Sequence, residues 1–356
     1  MSKRLQKLRR QLAEREIDSI LISQPKNRYY LSGFDGSSGF LFISAEDTVL
    51  ATDFRYIDQA KAQAPDFKVF QIINGIDKWL PELTGEIKGD KLGFEADHIS
   101  VATLRQMSDA LKKLQSAPKL IPTEGLVESL RAVKEPEEIA LITRAASLTD
   151  KAFAYITGII KPGSTEREIA WEMEKYLREN GSQGLPFDII VASGPNAALP
   201  HAKPSDKTIQ NGEPVVLDFG ARIGGYSSDL TRTIFLGKPD DTFRKIYDTV
   251  LGAQLAAMAI IKEGMTGDET DKLARTVINE AGYGEAFGHA LGHGIGLATH
   301  EAPRLGPNSS DIITDGMVFS IEPGIYLPGW GGVRIEDLVL MQDGILKTIS
   351  QARKVD

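Results

Sequence analysis

The chain has 356 residues, 42% of them hydrophobic and 25% charged, with a formal net charge of −8. That length accommodates two domains of ordinary globular balance, and the acidic excess argues against a nucleic-acid partner, which needs clustered Lys and Arg. With no cysteine in the sequence, disulfides, thiolate nucleophiles, Cys-based zinc sites and iron–sulfur clusters are all excluded.

The basic N-terminus carries Leu5, Leu8 and Leu12 at helical spacing. This predicts a helix over about residues 3–15 rather than the apolar core of a signal peptide. The longest apolar run in the helical stretches, 255–261, falls far short of the roughly 20 residues a bilayer requires. The expectation is a cytoplasmic protein without a membrane partner. A strand at 19–22 is followed by a glycine-rich turn at 29–39, hairpin strands at 40–43 and 48–52, and a helix from about Arg55. The turn lacks the lysine and the strand-to-helix setting of a phosphate-binding loop. A strand at 91–95 and a helix over 101–115 complete an α/β domain over residues 1–124, with 121–125 read as a linker.

The second domain, 125–356, opens with helical spacing at 126–130 and 137–155, Pro136 suiting a first turn. Further helices are predicted at about 165–180, 241–262 and 267–282, with glycine-rich strand segments between and after them. The order helices, hairpin, helices, hairpin predicts two similar halves around one sheet.

The chemistry begins at residues 215–220, an apolar strand interrupted by Asp218, which a turn at 222–225 leads back to Asp229. A turn centred between Ile223 and Gly224 sets the two aspartates directly opposite, roughly 4.5–5.5 Å apart at Cβ. Two such carboxylates on a buried sheet share a proton or bind a cation. A second hairpin repeats the device, with Glu322 after an apolar strand and Glu336 on the returning one. Two carboxylate pairs in one domain are hard to explain without a cation.

Three of the five histidines, His289, His293 and His300, fall within twelve residues among glycines. Histidine is a common metal ligand and the usual acid or base near neutral pH. The 289/293 spacing suggests the HExxH motif, but alanine follows His289, so the glutamate of that motif is missing. His201 precedes the Asp218 strand, whereas His98 stands alone in the first domain and reads as structural or exposed. Oxygen-rich ligation with one imidazole suits Mn²⁺, with Co²⁺ or Zn²⁺ as alternatives. Four carboxylates balance two divalent cations, and two such metals sharing an acidified water make a hydrolase.

These motifs resemble the proline-specific metallopeptidases, aminopeptidase P and prolidase, over essentially the whole chain. The Asp218–Asp229 spacing, the Gly-His-Gly-Ile-Gly run at 292–296, Glu-Pro-Gly-Ile-Tyr at 322–326 and Val-Arg-Ile-Glu-Asp at 333–337 carry the resemblance. It implies an α/β creatinase-like N-terminal domain joined to an α+β pita-bread catalytic domain. It further implies two divalent ions held by Asp218, Asp229, His293, Glu322 and Glu336, with Asp229 and Glu336 bridging. A metal-bridging hydroxide would be the nucleophile, and Glu322 would take its proton and pass it toward the leaving proline nitrogen. His289 and His300 would contact the substrate and the developing oxyanion, His201 would sit at the proline pocket, and Arg334 would orient carboxylates or simply pair with Asp229 or Asp337. Proline-containing peptides are the implied substrates and a homodimer the implied assembly.

Within that family the segments 34–39 and 52–56 resemble short bacterial aminopeptidases P, which favours peptides extending beyond the proline. Arg304 stands where some prolidase-like sequences carry an arginine that could hold a dipeptide's carboxylate. Methionine aminopeptidase usually lacks such an N-terminal domain, and creatinase uses no metal. A catalytically inactive binding module on this fold would have lost ligands, and this chain retains them.

Overall fold

A computed structural model describes residues 3–85 and 89–354, and its chain divides into two compact units, Met1–Arg131 and Ala132–Asp356. In the first, α1 (Lys3–Glu14) buries Leu5, Leu8 and Leu12. There follow β1 (Ser19–Ile22), α2 (Pro25–Ser32), β2 (Phe40–Ser44), β3 (Thr48–Asp53), α3 (Ile57–Gln63), β4 (Lys68–Ile72), α4 (Ile76–Gly85), β5 (Lys91–Glu95), α5 (Val101–Leu111), β6 (Lys119–Thr123) and α6 (Leu126–Ala132). The strands form one six-stranded mixed sheet in the order β4-β3-β2-β1-β5-β6.

Two segments differ from expectation. The first part of the expected turn at 29–39 lies in α2, which Gln24 caps through its side chain, Pro25 starts and Gly33 ends at φ 77°; proline at the start and left-handed glycine at the end are its signals. The expected linker at 121–125 is largely strand β6, which pairs in parallel with β5. The unit therefore continues to Arg131 instead of ending at Glu124, because Tyr30 donates to the Leu130 carbonyl and Arg131 to Asn27.

The second unit contains α7 (Pro136–Ile159), α8 (Glu166–Glu179), β7 (Ile190–Ser193), β8 (Pro214–Phe219), β9 (Arg222–Ile223), β10 (Tyr226–Ser227), β11 (Leu230–Phe235), α9 (Asp241–Ile260) and α10 (Gly267–Glu280). After them come β12 (Gly292–Gly294), β13 (Glu301–Leu305), β14 (Val318–Ile321), β15 (Gly324–Leu327), β16 (Gly331–Arg334), β17 (Asp337–Gln342) and β18 (Ile345–Thr348). The halves do repeat. Helices α8 and α10 begin with the same capping box, Thr165 with Glu168 and Thr266 with Glu269, and each capping threonine forms an isolated bridge, to Thr208 and to Ile312.

The single sheet expected around these halves is instead a three-stranded sheet, β11-β8-β7, and a five-stranded sheet, β13-β12-β14-β17-β18, with two separate ribbons. Strand β11 joins the 334–337 segment by hydrogen bonds outside the ladders, among them Glu336 N to Thr231 O (3.0 Å) and Arg334 N to Thr233 Oγ1 (3.0 Å), the latter returned by Thr233 Oγ1 to the Arg334 carbonyl (2.9 Å). The β14–β17 and β15–β16 ladders stop on either side of Glu322 and Glu336, and β11 begins one residue after Asp229, whereas Asp218 lies within the β8 ladders.

Candidate metal centre

Strand β8 carries Asp218 between fully buried Leu217 and Phe219. Its ladder with β11 pairs Asp218 with Thr231, and the β9–β10 ribbon pairs Ile223 with Tyr226. The turn is centred on Gly224 and Gly225, both at positive φ (57° and 81°), as a two-residue primed hairpin turn requires. The pairing is thus two residues away from the expected one, and Asp229 is not directly opposite Asp218. A shift of two preserves the face, because strand side chains alternate with period 2. The aspartates become diagonal neighbours on one surface.

The second hairpin keeps one register across its break: Ile321 faces Asp337 on one side and Gly324 faces Arg334 on the other. Glu322 and Glu336 project from the gap between those ladders. His293 lies on β12 between Gly292 and Gly294. A Cβ at these glycines would lie 2.0 Å from the Ser320 carbonyl oxygen and 2.1 Å from that of Ala302. No side chain fits there, which is why His293 stands between two glycines.

His293 Nε2 lies 3.2 Å from Glu322 Oε1 and 3.9 Å from Asp229 Oδ2, while Nδ1 donates to the Gly294 carbonyl (3.1 Å). Ser320 Oγ donates to Glu322 Oε1 (3.0 Å), and Thr231 Oγ1 donates to Glu336 Oε2 (2.7 Å). Arg334 pairs with Asp218 at 2.6 Å, not with Asp229 or Asp337; buried Asp337 pairs with Arg232 and Lys354 instead. The same guanidinium donates to Thr231 Oγ1 (3.1 Å) and to Tyr326 Oη (2.7 Å).

Burial dominates the electrostatics. It raises the carboxyl of Asp218, partly offset by Arg334. It raises Asp229 and Glu336 well above the ordinary carboxylate range, with the neighbouring carboxylates adding to it. Burial opposes the charge on Glu322 too, but the hydrogen bond from His293 prevails and brings it to about 2. Burial likewise works against a charged His293, and Glu322 with its fellow carboxylates overcomes this, raising the ring to about 9.

Among the described residues, Asp218 Oδ1, Asp229 Oδ1 and Glu336 Oε1 are buried without a hydrogen-bond partner. Three buried acceptors in one cluster call for positive charge. Ligand atoms of Asp229, His293 and Glu336 lie within 4.8 Å of one another, a spacing one cation can bridge. The donor set fits divalent metal.

A cavity of about 710 Å³ opens above these groups, and its wall includes His201, His289, His300, Arg304 and Arg334. The His300 ring lies 4.1 Å from that of His293. His289 Nδ1 donates to the Ala290 carbonyl (2.8 Å), so Nε2 accepts from Tyr326 Oη (2.9 Å). Burial holds His289 below its usual pKa, against the pull of Glu322, and pushes Tyr326 up to about 12, against the pull of Arg334. Arg334, Tyr326 and His289 therefore form one chain of donors. Sequence patterns alone assign Tyr326 no role; its position in the 322–326 motif is the available signal. His98 lies in the first unit, where Nδ1 contacts Ser23 Oγ at 2.9 Å.

Buried carboxylates with unpaired oxygens, a histidine among them and an open cavity suit metal-dependent hydrolysis. The chain belongs to metallopeptidase family M24, which it matches over residues 140–343, and residues 4–133 match the creatinase/prolidase N-terminal domain. It is a peptide hydrolase of the pita-bread fold, and membership in this family implies divalent metal at the site. It is 37% identical to an Xaa-Pro dipeptidase of Pyrococcus furiosus, covering 99% of each chain. A solved structure of an Xaa-Pro dipeptidase from Bacillus anthracis is 42% identical, with a TM-score of 0.95 over 99% of this chain and 98% of that one. An X-Pro aminopeptidase structure from Thermotoga maritima is 38% identical, with a TM-score of 0.88 over 96% and 98%. Among the described residues, no helix is long and apolar enough to cross a membrane.

Proposed function

We propose that the chain hydrolyses the Xaa-Pro bond of dipeptides, with two divalent ions, Mn²⁺ foremost, held by Asp218, Asp229, His293, Glu322 and Glu336. The observation that carries the metal reading is the set of unpaired buried oxygens on Asp218, Asp229 and Glu336. When bound, such ions polarise the scissile carbonyl and lower the pKa of water. That suits an Xaa-Pro bond, a tertiary amide with no N–H for a peptidase to grip.

The residues then divide the work. Glu322, ionised at neutral pH, takes a proton from the attacking water and delivers it to the proline nitrogen as the C–N bond breaks and the new C–O bond forms. His300 and His201 border the bound peptide. Arg334 holds Asp218 in place and fixes Tyr326, which in turn orients His289. In this arrangement both ring nitrogens of His289 are engaged.

The preference for dipeptides rests on Arg304, whose side chain lines the cavity and whose charge would hold the free carboxylate that only a dipeptide presents beside proline. The Bacillus anthracis neighbour, an Xaa-Pro dipeptidase, agrees with this preference. A second reading, aminopeptidase P, is favoured by the Thermotoga maritima neighbour and by the resemblance at 34–39 and 52–56. Comparing Xaa-Pro with Xaa-Pro-Yaa peptides on Mn²⁺-loaded protein and on its Arg304→Ala variant decides between them. Selective loss of dipeptide cleavage supports the carboxylate clamp; equal losses on both substrates sink it. The same reading includes a cytoplasmic homodimer, and light scattering at the mass of a single chain would remove that part.

A further inference from the structure

Helix α9 approaches the centre through one polar side chain that the reaction does not touch. Gln254 is fully buried, and its amide nitrogen donates to the carbonyls of Ile321 (3.0 Å) and Ile335 (3.2 Å). Those two residues directly precede Glu322 and Glu336.

Proline explains the need for such a bridge. The register of the flanking ladders sets Pro323 opposite Ile335. Ile335 N–H donates to the Pro323 carbonyl (3.4 Å), but proline has no N–H to return the bond. Without Gln254 the Ile335 carbonyl would lose this donor beside a buried charge cluster, a situation folded proteins avoid. The glutamine is itself costly: Gln254 Oε1 is buried with no partner among the described residues. An aliphatic side chain of similar size would escape that desolvation. A space-filling role does not account for an amide here.

We infer that Gln254 is a positioning residue for the metal centre, supplying the donor that Pro323 withholds and so fixing the ladder break from which Glu322 and Glu336 project. The inference rests on the reading of these two glutamates as metal ligands. Groups that orient ligands in this way typically change metal affinity when lost.

The test is a cycle of Gln254→Met, Pro323→Ala and the double variant in the full chain. It is read by Mn²⁺ titration of chelator-treated protein and by thermal melting of the metal-free form. Gln254→Met should weaken Mn²⁺ binding roughly 10- to 100-fold. With alanine at 323 a backbone N–H serves Ile335, and the same change should then cost less than about threefold. Equal losses in both backgrounds, or unaltered affinity in Gln254→Met, would overturn the inference. If Gln254→Met does not fold, recovery of folded, Mn²⁺-binding double variant supports the bridge and failure to recover overturns it. A parent chain that binds no Mn²⁺ removes the ligand reading instead. In that event melting alone decides the bridge, because the effect of Gln254→Met must still shrink with alanine at 323.

Discussion

Two regions of this molecule bury carboxylates, and they treat them in opposite ways. In the first unit Glu95 is 8% exposed, and its oxygens accept from Ser23 N (2.6 Å), Ser23 Oγ (3.0 Å), Gln24 N (2.7 Å) and Asn27 Nδ2 (2.7 Å). Glu166 in the second unit is handled alike, with bonds from Ser193, Asn196 and Ser205. In the candidate metal centre, Asp218, Asp229 and Glu336 each keep a buried oxygen unpaired, and burial with mutual repulsion raises their pKa values. The first arrangement spends backbone and side-chain donors to keep a charge in the fold. The second leaves one oxygen of each carboxylate without a donor, a deficit that bound cations would meet. Burial alone therefore does not mark a candidate ligand; a cluster of buried carboxylate oxygens that lack hydrogen-bond donors does so better.

The largest effect that would sharpen this contrast comes from Asp229→Asn. We expect kcat/KM on an Xaa-Pro peptide to fall at least about a thousandfold, equivalent to roughly 4 kcal/mol of barrier. The chelator-treated variant should nevertheless melt above chelator-treated parent, because one of several repelling carboxylates is gone. A lower melting point would show that Asp229 is a structural acceptor like Glu95. The converse variant, Glu95→Gln, turns amide hydrogens toward existing donors and should cost about 2–3 kcal/mol of folding stability by denaturant titration. Its Mn²⁺ stoichiometry should remain that of the parent.

A third effect follows from the pKa directions. A carboxyl whose folded pKa exceeds its unfolded one stabilises the fold below the unfolded value and loses that contribution as pH rises through the folded value. Asp218, Asp229 and Glu336 belong to this class, and His293, raised to about 9, adds a loss at higher pH. Glu322, lowered to about 2, acts in the other sense, and its contribution disappears only as pH falls toward that value. Metal-free protein should therefore melt several degrees lower at about pH 8 than at about pH 5. Added Mn²⁺ should remove the slope and release protons. A metal-free protein that gains stability over that range would break the comparison.

The contrast also explains what could be read from the sequence. Composition, periodicity and the two carboxylate hairpins carried the α/β unit, the paired halves and the candidate centre, because strand and helix periods are local properties. Registers were less legible: the turn at Gly224–Gly225 and a turn one position earlier have nearly the same local chemistry, and only packing separates them. Helix α2 was hidden because Tyr29–Ser32 adjoin glycines that dominate the local pattern, although Pro25 and Gly33 bracket it. Strand β6 looked like a linker because Pro122 lies within it, at an edge where its missing N–H is tolerated. The partner of Arg334 and the bridge made by Gln254 are long-range contacts, across 116 residues for Asp218 and 67 for Ile321. No local pattern encodes them.

The smallest effect bears on the only histidine outside the catalytic unit. His98 lines a second cavity of about 320 Å³ with Glu95, Asp97 and Glu128, and such a grouping of titratable side chains invites a functional reading. The hydrogen bonding argues otherwise. His98 Nδ1 bonds Ser23 Oγ, and that same hydroxyl donates to Glu95 Oε2, so the ring extends a network whose carboxylate already has its donors. Replacing it removes one outer bond without leaving Glu95 unsatisfied. His98→Ala should cost about 1 kcal/mol of stability and leave kcat/KM on Xaa-Pro peptides within about twofold, since the change leaves every group around the metal centre intact. A larger loss of activity at unchanged stability would mean that a hydrogen-bonded network of this kind can also serve chemistry, and the distinction between satisfied and unsatisfied carboxylates would no longer separate scaffold from site.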